Sequence, residues 1–394
     1  MSILRLPFGP VGLLALALSW AAPTIGGQRV VDLTATDGTK LRATYFDAGK
    51  PGPGVLLLHQ CNRTRKVWDG LAQQLAGAGI NVLTMDNRGF GESGGTPHEI
   101  LTPEDEAEVE NDKWPADFDV AVAYLEAQPG VTPKTIGVGG ASCGVNNSIQ
   151  TARRHPEVRS LVLLSGPTDL NGRNYLRNSA KTPAFFSVAD DDEFPGMVED
   201  IEWYYLLASN PGKKFVHYTK GGHGAEMFPL HPELPGLIVD WYVTTLIKTP
   251  GRAPVEKEVP AIPDDVRNLD LIDQPGGAEK VAAKLTEARR SNPNATLFAE
   301  AAVNTIGYDH LQAGQTEDAI EIFKLNVTAF PNSPNTYDSL SDGYLAAGRR
   351  DLALENVKKA LELLPNDTRD AADFRKGLTE TDQKKLKDLS GTGK

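Results

Sequence analysis

A serine, an acid and a histidine stand in this sequence in the order and setting that nucleophilic catalysis requires. Ser142 lies at the centre of Gly-Ala-Ser-Cys-Gly over residues 140–144, between an apolar run and a helical segment. That pattern predicts a tight strand-to-helix turn, in which only small side chains fit two residues before and after the serine. The serine then stands at a helix N-terminus, where N–H groups stabilise an oxygen that becomes negative during attack. Ser142 is therefore the candidate nucleophile.

Cys143 is the alternative nucleophile, because a thiolate is intrinsically more reactive than a hydroxyl group. A turn centred on Cys143 would put Ala141 and Val145 at the two crowded positions. A β-branched valine fits poorly there, so the spacing favours Ser142. A Gly-rich strand-to-helix turn without any chemistry is also common when such a motif stands alone, and its partners therefore matter.

The acid that orients the base is predicted among the aspartates that follow the apolar segment 184–188. A carboxylate at the carboxyl end of a strand can reach a histidine on a neighbouring loop. Spacing from the strand favours Asp192, and Asp190 and Asp191 are then solvated loop acids or helix caps. Asp169, which follows the preceding strand segment, is the outside alternative.

His223 is the candidate general base among the seven histidines of the chain. It lies in a Gly-Gly-His-Gly sequence soon after the strand segment 215–218, so its imidazole would extend from a flexible loop. The order serine, acid, histidine matches one of the chain orders known for such triads. The sequence therefore predicts Ser142 as nucleophile, His223 as base and Asp192 as the acid that orients the base.

Two backbone N–H groups must converge on the oxyanion that forms when a serine attacks a carbonyl carbon. One is expected from Cys143, the residue after the nucleophile, and the other from the loop that follows the third strand. Position in that loop favours Cys61 as the second donor, with Gln60 as the alternative. His59 is interpreted as a structural residue at the end of the strand.

Cys61 and Cys143 are the only cysteines of the chain, and both belong to the loops assigned to the oxyanion hole. Two N–H groups that bind one oxygen have neighbouring Cα atoms, within reach of the roughly 4.4–6.8 Å that a disulfide needs. A disulfide would fix the spacing of the two donors. The alternative is two small buried residues whose side chains point apart, and the proximity of the Cα atoms does not decide between them.

The elements that must position these residues alternate along residues 28–248. Short apolar, β-rich runs are separated by amphipathic helical segments, which is the pattern of a mainly parallel sheet with helices on both faces. An opening hairpin is predicted through Asp37 and Gly38, ahead of the parallel strands. The fold class predicted for this catalytic domain is therefore α/β.

The sequence changes in character beyond residue 248. Residues 249–277 are rich in proline and show no apolar period, so we interpret them as a semi-rigid linker with few contacts between the domains it joins. Residues 278–390 contain similar residues 34 positions apart, such as Gly314 and Gly348. That period is typical of tetratricopeptide repeats and predicts a small all-α helical-repeat domain. Such repeats present a concave surface to a protein partner or to a second copy of the chain.

The N-terminus and the overall charge restrict where the protein works and what it binds. Residues 1–22 combine a basic start, a short apolar run and small residues, which is typical of a cleaved secretory signal peptide. The run is too short for a membrane span, so we expect an exported protein, periplasmic or secreted, with no span in the mature chain. The 52 acidic and 40 basic residues give a net charge of −12, which argues against a nucleic-acid partner.

Several of these sequences together resemble the α/β-hydrolase superfamily, in particular its dienelactone-hydrolase-like esterases. The resemblance covers residues 28–248 and is carried by His59-Gln60, Asp86 to Ser93, residues 140–144, Asp192 and Gly222-His223-Gly224. It implies the α/β-hydrolase fold, hydrolysis of acyl bonds and no cofactor or metal. The chain departs from the dienelactone hydrolases in having serine in place of the nucleophilic cysteine. It also has glutamine at position 60, where most relatives have glycine.

The predicted reaction is hydrolysis of a carboxylic ester of a small molecule through an acyl-enzyme intermediate on Ser142. Peptide or thioester hydrolysis by the same triad is the nearest variant. A hypothesis of another class is a non-catalytic adaptor, whose helical repeats bind a partner protein and whose α/β domain is a scaffold. The complete set of triad residues favours the enzyme.

Overall fold

The computed structural model describes residues 27–257, 260–369 and 371–391. The predicted signal peptide, residues 1–22, lies outside these residues. The described part consists of one eight-stranded sheet with helices on both faces, followed by an all-helical region. None of the helices in this part is both long enough and apolar enough to cross a membrane.

The sheet contains β1 (Gln28–Thr34), β2 (Lys40–Phe46), β3 (Gly52–Leu58), β4 (Asn81–Met85), β5 (Val131–Ala141), β6 (Val158–Leu164), β7 (Ala184–Ala189) and β8 (Lys213–Tyr218). Their order across the sheet is β1-β2-β4-β3-β5-β6-β7-β8. The pairs β1–β2 and β2–β4 are antiparallel, and all other neighbours are parallel. The predicted opening hairpin is confirmed, with Gly38 in its turn at a φ of 88°.

The centre of the sheet explains why its strands read as continuous apolar runs. Every residue of β3 is buried, because helices cover both faces of the sheet at this position. Successive side chains alternate between the faces, so Leu56 and Leu58 join one core cluster whereas Val55 and Leu57 join the other.

Eight α-helices lie within the described residues 27–248, and they divide between the two faces. They are α1 (Asp69–Gly77), α2 (Pro103–Glu108), α3 (Trp114–Glu126), α4 (Cys143–Arg154), α5 (Leu170–Asn178), α6 (Met197–Leu207), α7 (Met227–Leu230) and α8 (Leu234–Tyr242). Helices α1 and α8 contribute Leu75 and Ile238 to the cluster of Val55, while α3, α4 and α6 contribute to the cluster of Leu56.

The remaining seven helices form the C-terminal region. They are α9 (Asp264–Ile272), α10 (Gly277–Ser291), α11 (Glu300–Gln312), α12 (Thr316–Ala329), α13 (Pro334–Ala346), α14 (Arg350–Leu363) and α15 (Ala372–Ser390). The α11–α12 pair and the α13–α14 pair are offset by the 34-residue period of the sequence, and Gly314 and Gly348 take positive φ in the two turns. The α/β sheet followed by an all-α region confirms the predicted fold class. The assignment to tetratricopeptide repeats stays a prediction.

The interpretation of residues 249–277 as a linker with few contacts is wrong for its second half. Helix α9 lies within this stretch, and Val266, Leu269 and Ile272 are buried in the same core cluster as Ile201 of α6. Three apolar residues at three-residue intervals are enough for one amphipathic face, but they are too few to stand out from the prolines nearby.

A buried ionic cluster also joins the helical region to the catalytic domain. Arg173 of α5 is 1% exposed and binds Asp273, which follows α9, and Asp309 of α11, at 2.8 and 2.5 Å. Burial alone would raise the pKa of Asp273, but the hydrogen bond with His310 and the charge of Arg173 lower it to about 2. The helical region therefore packs against the catalytic domain through both apolar and ionic contacts.

Candidate active site

Ser142 occupies a sharp turn between β5 and α4. Its backbone has a φ of 55° and a ψ of −126°, a conformation that residues other than glycine rarely adopt. The Ser142 N–H donates to the carbonyl oxygens of Leu164 and Ser165, at 3.0 and 2.9 Å. The end of β6 thus holds the strained turn in place, as expected for a residue that must project from a sheet edge.

The two glycines around Ser142 are required by close backbone contacts. A Cβ atom at Gly140 would lie 2.0 Å from the carbonyl oxygen of Gly144, and one at Gly144 would lie 2.4 Å from that of Leu58. No side chain can be accommodated at such distances. The geometry agrees with the sequence argument for the Gly-x-Ser-x-Gly spacing.

His223 lies in the loop after β8, between Gly222 and Gly224, which take φ values of 67° and 59°. Its Nδ1 is 2.8 Å from Oδ2 of Asp192, and both side chains are 2% exposed. Its Nε2 is buried and has no hydrogen-bond partner among the described residues. A Cβ atom at Gly224 would lie 3.1 Å from Cβ of Ala141, so this loop packs against the residue before Ser142.

Asp192 is the aspartate that the structure brings to His223. It also accepts a hydrogen bond of 2.9 Å from the N–H of Phe194, whose ring lies 4.5 Å from the imidazole. The other three aspartates considered for this role have other partners, namely His217 for Asp190, the N–H groups of Gly221 and Gly222 for Asp191, and the N–H of Gly172 for Asp169. The bonds from Gly222 and Gly221 lower the pKa of Asp191, whose role is to shape the histidine loop.

Cys61 and Cys143 form a disulfide, with their Cα atoms 5.9 Å apart. This answers the question that the sequence left open, and it brings together the two loops predicted to supply the oxyanion donors. The bond also occupies the Cys143 sulfur, so no thiolate competes with Ser142.

His59 is fixed inside the protein as a neutral ring. Its Nδ1 lies 2.8 Å from the carbonyl oxygen of Gln60, and its Nε2 accepts a hydrogen bond of 2.9 Å from the N–H of Asn87. Burial lowers its pKa, in keeping with this neutral state. These contacts support a structural role at the end of β3.

Gln60 makes a contact that sequence reasoning missed. Its side chain is fully buried, and its Oε1 accepts a hydrogen bond of 3.0 Å from the N–H of Ala225, two residues after His223. Its Nε2 donates to Oδ1 of Asn62 at 2.9 Å. The signal in the sequence was the glutamine at position 60, where the family resemblance implies a glycine.

Three side chains of the kind that can hold a metal ion lie close together at a separate place. His98, Glu106 and Glu110 bring one ligand atom each within 4.8 Å of one another. This group includes none of the residues around Ser142. His98 stacks on Trp114 with ring centroids 5.5 Å apart, so its ring also has a packing role.

Comparisons with known proteins relate part of this chain to α/β hydrolases. Residues 53–223 match the family described as alpha/beta hydrolase fold. The thiohydrolase aneE of Aspergillus aculeatus is 31% identical over 135 residues, which are 34% of this chain and 39% of that protein. The polyketide transferase grgF of Penicillium is 27% identical over 143 residues, 36% of this chain and 46% of that protein. The chain thus spans less than half the length of these curated relatives.

Among solved structures, the Pyrococcus furiosus esterase Pf2001 has a TM-score of 0.45 and 22% sequence identity, covering 56% of this chain and 92% of that chain. The family match begins in β3 and ends at His223, so it includes Ser142 and Asp192. Together with the mainly parallel eight-stranded sheet, the match shows that residues 53–223 have the α/β-hydrolase fold.

Proposed function

We propose that this protein is a serine hydrolase that cleaves carboxylic esters of small molecules, with Ser142, Asp192 and His223 as its catalytic triad. The observation that carries the proposal is the buried contact of 2.8 Å between His223 Nδ1 and Asp192 Oδ2. It leaves Nε2 as the nitrogen that can accept a proton. The strained turn at Ser142 and the packing of the histidine loop against Ala141 support the pairing of base and nucleophile.

In the proposed reaction, His223 Nε2 takes the proton of the Ser142 hydroxyl while the oxygen attacks the ester carbonyl carbon. The tetrahedral intermediate collapses, the C–O bond to the alcohol breaks, and His223 returns the proton to the leaving oxygen. A water molecule then repeats the sequence on the acyl-enzyme and releases the acid. Asp192 stabilises the imidazolium that forms in both halves and keeps the ring oriented.

The oxyanion of each tetrahedral intermediate is proposed to bind the N–H groups of Cys143 and Cys61. Cys143 is the first residue of α4, where N–H groups have no partner within the helix. The disulfide holds the two residues with their Cα atoms 5.9 Å apart. Such preorganised donors stabilise the transition state because they need no reorientation during the reaction.

A fluorophosphonate probe tests the nucleophile directly. We expect covalent labelling of the wild type, no labelling of Ser142→Ala, and normal labelling of Ser209→Ala, a matched change at an exposed serine. Ester hydrolysis should fall by at least about 10³-fold in Ser142→Ala and in His223→Ala. A folded wild type that takes up no probe and hydrolyses no ester would favour the adaptor function instead.

The bond that is cleaved can be identified with one acyl group presented as an aryl ester, a thioester and an anilide. We propose the ester as the preferred substrate. The Aspergillus relative carries the name thiohydrolase, so thioesters are the nearest alternative class. A kcat/KM for the thioester well above that of the ester would replace the proposal of an esterase with that of a thioesterase.

We also propose that the protein is exported to a periplasmic or extracellular location. The basic and apolar pattern of residues 1–22 and the disulfide between Cys61 and Cys143 support this, because disulfides persist in oxidising compartments. Cell fractionation with mass spectrometry of the mature N-terminus is the test. An intact N-terminus in the reducing cytosol would contradict it.

A further inference from the structure

A cavity of about 300 Å³ lies between the catalytic domain and the helical region. One wall is formed by the loops after β6 and β7 and by α6, and the other by α9 and the start of α11. Small-molecule sites typically measure about 300–1,000 Å³, so the cavity can hold a small ligand or part of a larger one. Because both parts of the chain line it, neither forms it alone.

The cavity lies beside the proposed catalytic residues. Asn146, which lines it, stands one helical turn after Ser142 in α4. Pro167 comes two residues after Ser165, whose carbonyl oxygen accepts a hydrogen bond from the Ser142 N–H. Pro195 comes three residues after Asp192. Ser142 and His223 themselves are not among the lining residues. The cavity is therefore lined by residues close in the chain to Ser142 and Asp192.

The polar lining is mainly acidic. Five carboxyl groups and one guanidinium line the cavity, and the guanidinium, Arg173, is already bound by Asp273 and Asp309. The carboxyl of Asp200 on α6 accepts no hydrogen bond and forms no ion pair within the described part of the chain. A carboxylate without a partner in such a place is a binding group for a cation that comes from outside.

The electrostatic surroundings of Asp200 agree with this role. Burial raises its pKa to about 7; Arg173 opposes this rise, whereas Glu199 and Asp309 add to it. Asp265 of α9 is a further acid in the lining. A bound cation would stabilise the ionised form of Asp200.

The rest of the lining is apolar and aromatic. Trp203 and Tyr204 of α6 face the same cavity as Leu269 of α9 and Ile306 of α11. A metal ion alone would leave this wall without a role, and a carboxylate or phosphate ligand would be repelled by the acids. An apolar group that ends in an ammonium ion satisfies both parts of the lining.

We propose that this cavity binds the end of the substrate remote from the scissile bond, and that this end is an apolar group carrying a protonated amine held by Asp200. That the ligand is an ester substrate rests on the proposed function, whereas the binding of an amine in the cavity does not depend on it. The helical region then has a role in substrate selection, because α9 and α11 supply half of the subsite.

Matched pairs of aryl esters test the proposal. Within each pair, the acyl chains have the same length and end in either a methyl or an ammonium group, and the lengths are graded across the series. At one chain length we expect the wild type to show a KM about tenfold lower for the ammonium ester, as one charge-assisted hydrogen bond provides. Asp200→Asn should lose this preference, and Asp240→Asn, at an exposed acid on α8, should keep it.

The preference should also depend on pH in the wild type. An alkylammonium group stays protonated below about pH 10, whereas Asp200 ionises near pH 7. The KM of the methyl ester divided by the KM of the ammonium ester should therefore rise between about pH 6 and pH 8. Any effect of pH on the bond-cleaving step itself is common to both esters of a pair and cancels in the ratio. Asp200→Asn should show a flat ratio.

Equal KM values for all pairs in the wild type, or a preference that survives Asp200→Asn, would overturn the inference while leaving the hydrolase intact. If the wild type cleaves no ester and takes up no fluorophosphonate, the proposed function fails first. Calorimetry of hexylamine and hexanol with folded Ser142→Ala then tests the cavity by itself. Binding of the amine alone supports the site, and binding of neither or of both equally refutes it.

Discussion

The side-chain oxygen of Gln60 accepts a hydrogen bond of 3.0 Å from the backbone N–H of Ala225 and so connects the loop after β3 to the loop that carries His223. The two residues are 165 positions apart in the sequence. Gln60 is fully buried, and its amide nitrogen is held by Asn62. The position of His223 relative to the proposed oxyanion donors therefore depends on a residue that, within the described part of the chain, forms no hydrogen bond with Ser142 or Asp192.

Replacing Gln60 by methionine, which has a similar length but no acceptor oxygen, should lower kcat by about 10- to 100-fold, because small misplacements of a catalytic group are costly. KM should change little. Gln60→Glu keeps an acceptor for the Ala225 N–H and should retain more of the activity, with a pH profile moved upward by the added negative charge. Wild-type kcat in Gln60→Met would show that the contact does not position the histidine loop.

The sequence predicted the parts of this site that depend on local geometry. Ser142 followed from the small residues on either side of it, and Asp192 followed from its distance to the end of β7. The structure brings Asp192 to His223, with the other aspartates engaged elsewhere. Such positions can be predicted from sequence because a strand end and a tight turn restrict the residue types and spacing in the same way wherever they occur.

The parts that sequence reasoning missed depend on contacts between distant segments. The bond from Ala225 to Gln60 leaves no periodic pattern, and the proline-rich composition of residues 249–277 hid the short apolar face of α9. The choice between a disulfide and two separate thiols depended on the direction of the Cβ atoms, which Cα proximity does not fix.

The identity of the acid can be tested by amide substitutions. Asp192→Asn should lower kcat by about 10³-fold or more, because the amide no longer stabilises the imidazolium or its correct tautomer. Asp190→Asn, at a neighbouring residue that binds His217, is the matched control and should remain active. Near wild-type activity of Asp192→Asn, together with loss of activity in Asp169→Asn, would assign the acid to the preceding strand.

Titration of the denatured, unreduced protein should find no free thiol, because Cys61 and Cys143 are bonded. Reduction should lower the free energy of unfolding by about 4.5 kcal/mol in the chain-entropy view, since the bond closes a loop of 82 residues. It should also lower kcat, because the oxyanion donors lose their fixed spacing. The double variant Cys61→Ala/Cys143→Ala should reproduce both effects, and two titratable thiols in the unreduced protein would refute the bond.

A chain that ends at Lys248 should be unstable or aggregate, contrary to what a linker would allow. It would expose the surface of α6 around Ile201, which α9 covers in the full chain. It would also leave the buried charge of Arg173 without the carboxylate of Asp273 that pairs with it. A chain that ends at Arg369 lacks helix α15 but keeps α9 on the surface of α6, and it should fold. Thermal unfolding and light scattering of both chains give the comparison, and equal stability would restore the view of independent domains.

The pKa of Asp200 makes the stability of the free protein depend on pH in a defined direction. Burial raises this pKa from 3.8 to about 7, so the folded state binds the proton more tightly than the unfolded chain does. The contribution of the protonated Asp200 carboxyl group to the free energy of unfolding is fully present below about pH 4 and is lost as the pH rises through about 7. Asp200→Asn carries no such proton and should be more stable than the wild type at about pH 8, with a much smaller difference at about pH 4.

Urea unfolding at both pH values measures this, with Asp240→Asn as the control at an exposed carboxylate. A stability difference between Asp200→Asn and the wild type that does not vary with pH would mean that Asp200 is already ionised without penalty, and that the cavity is more open to water than its lining indicates.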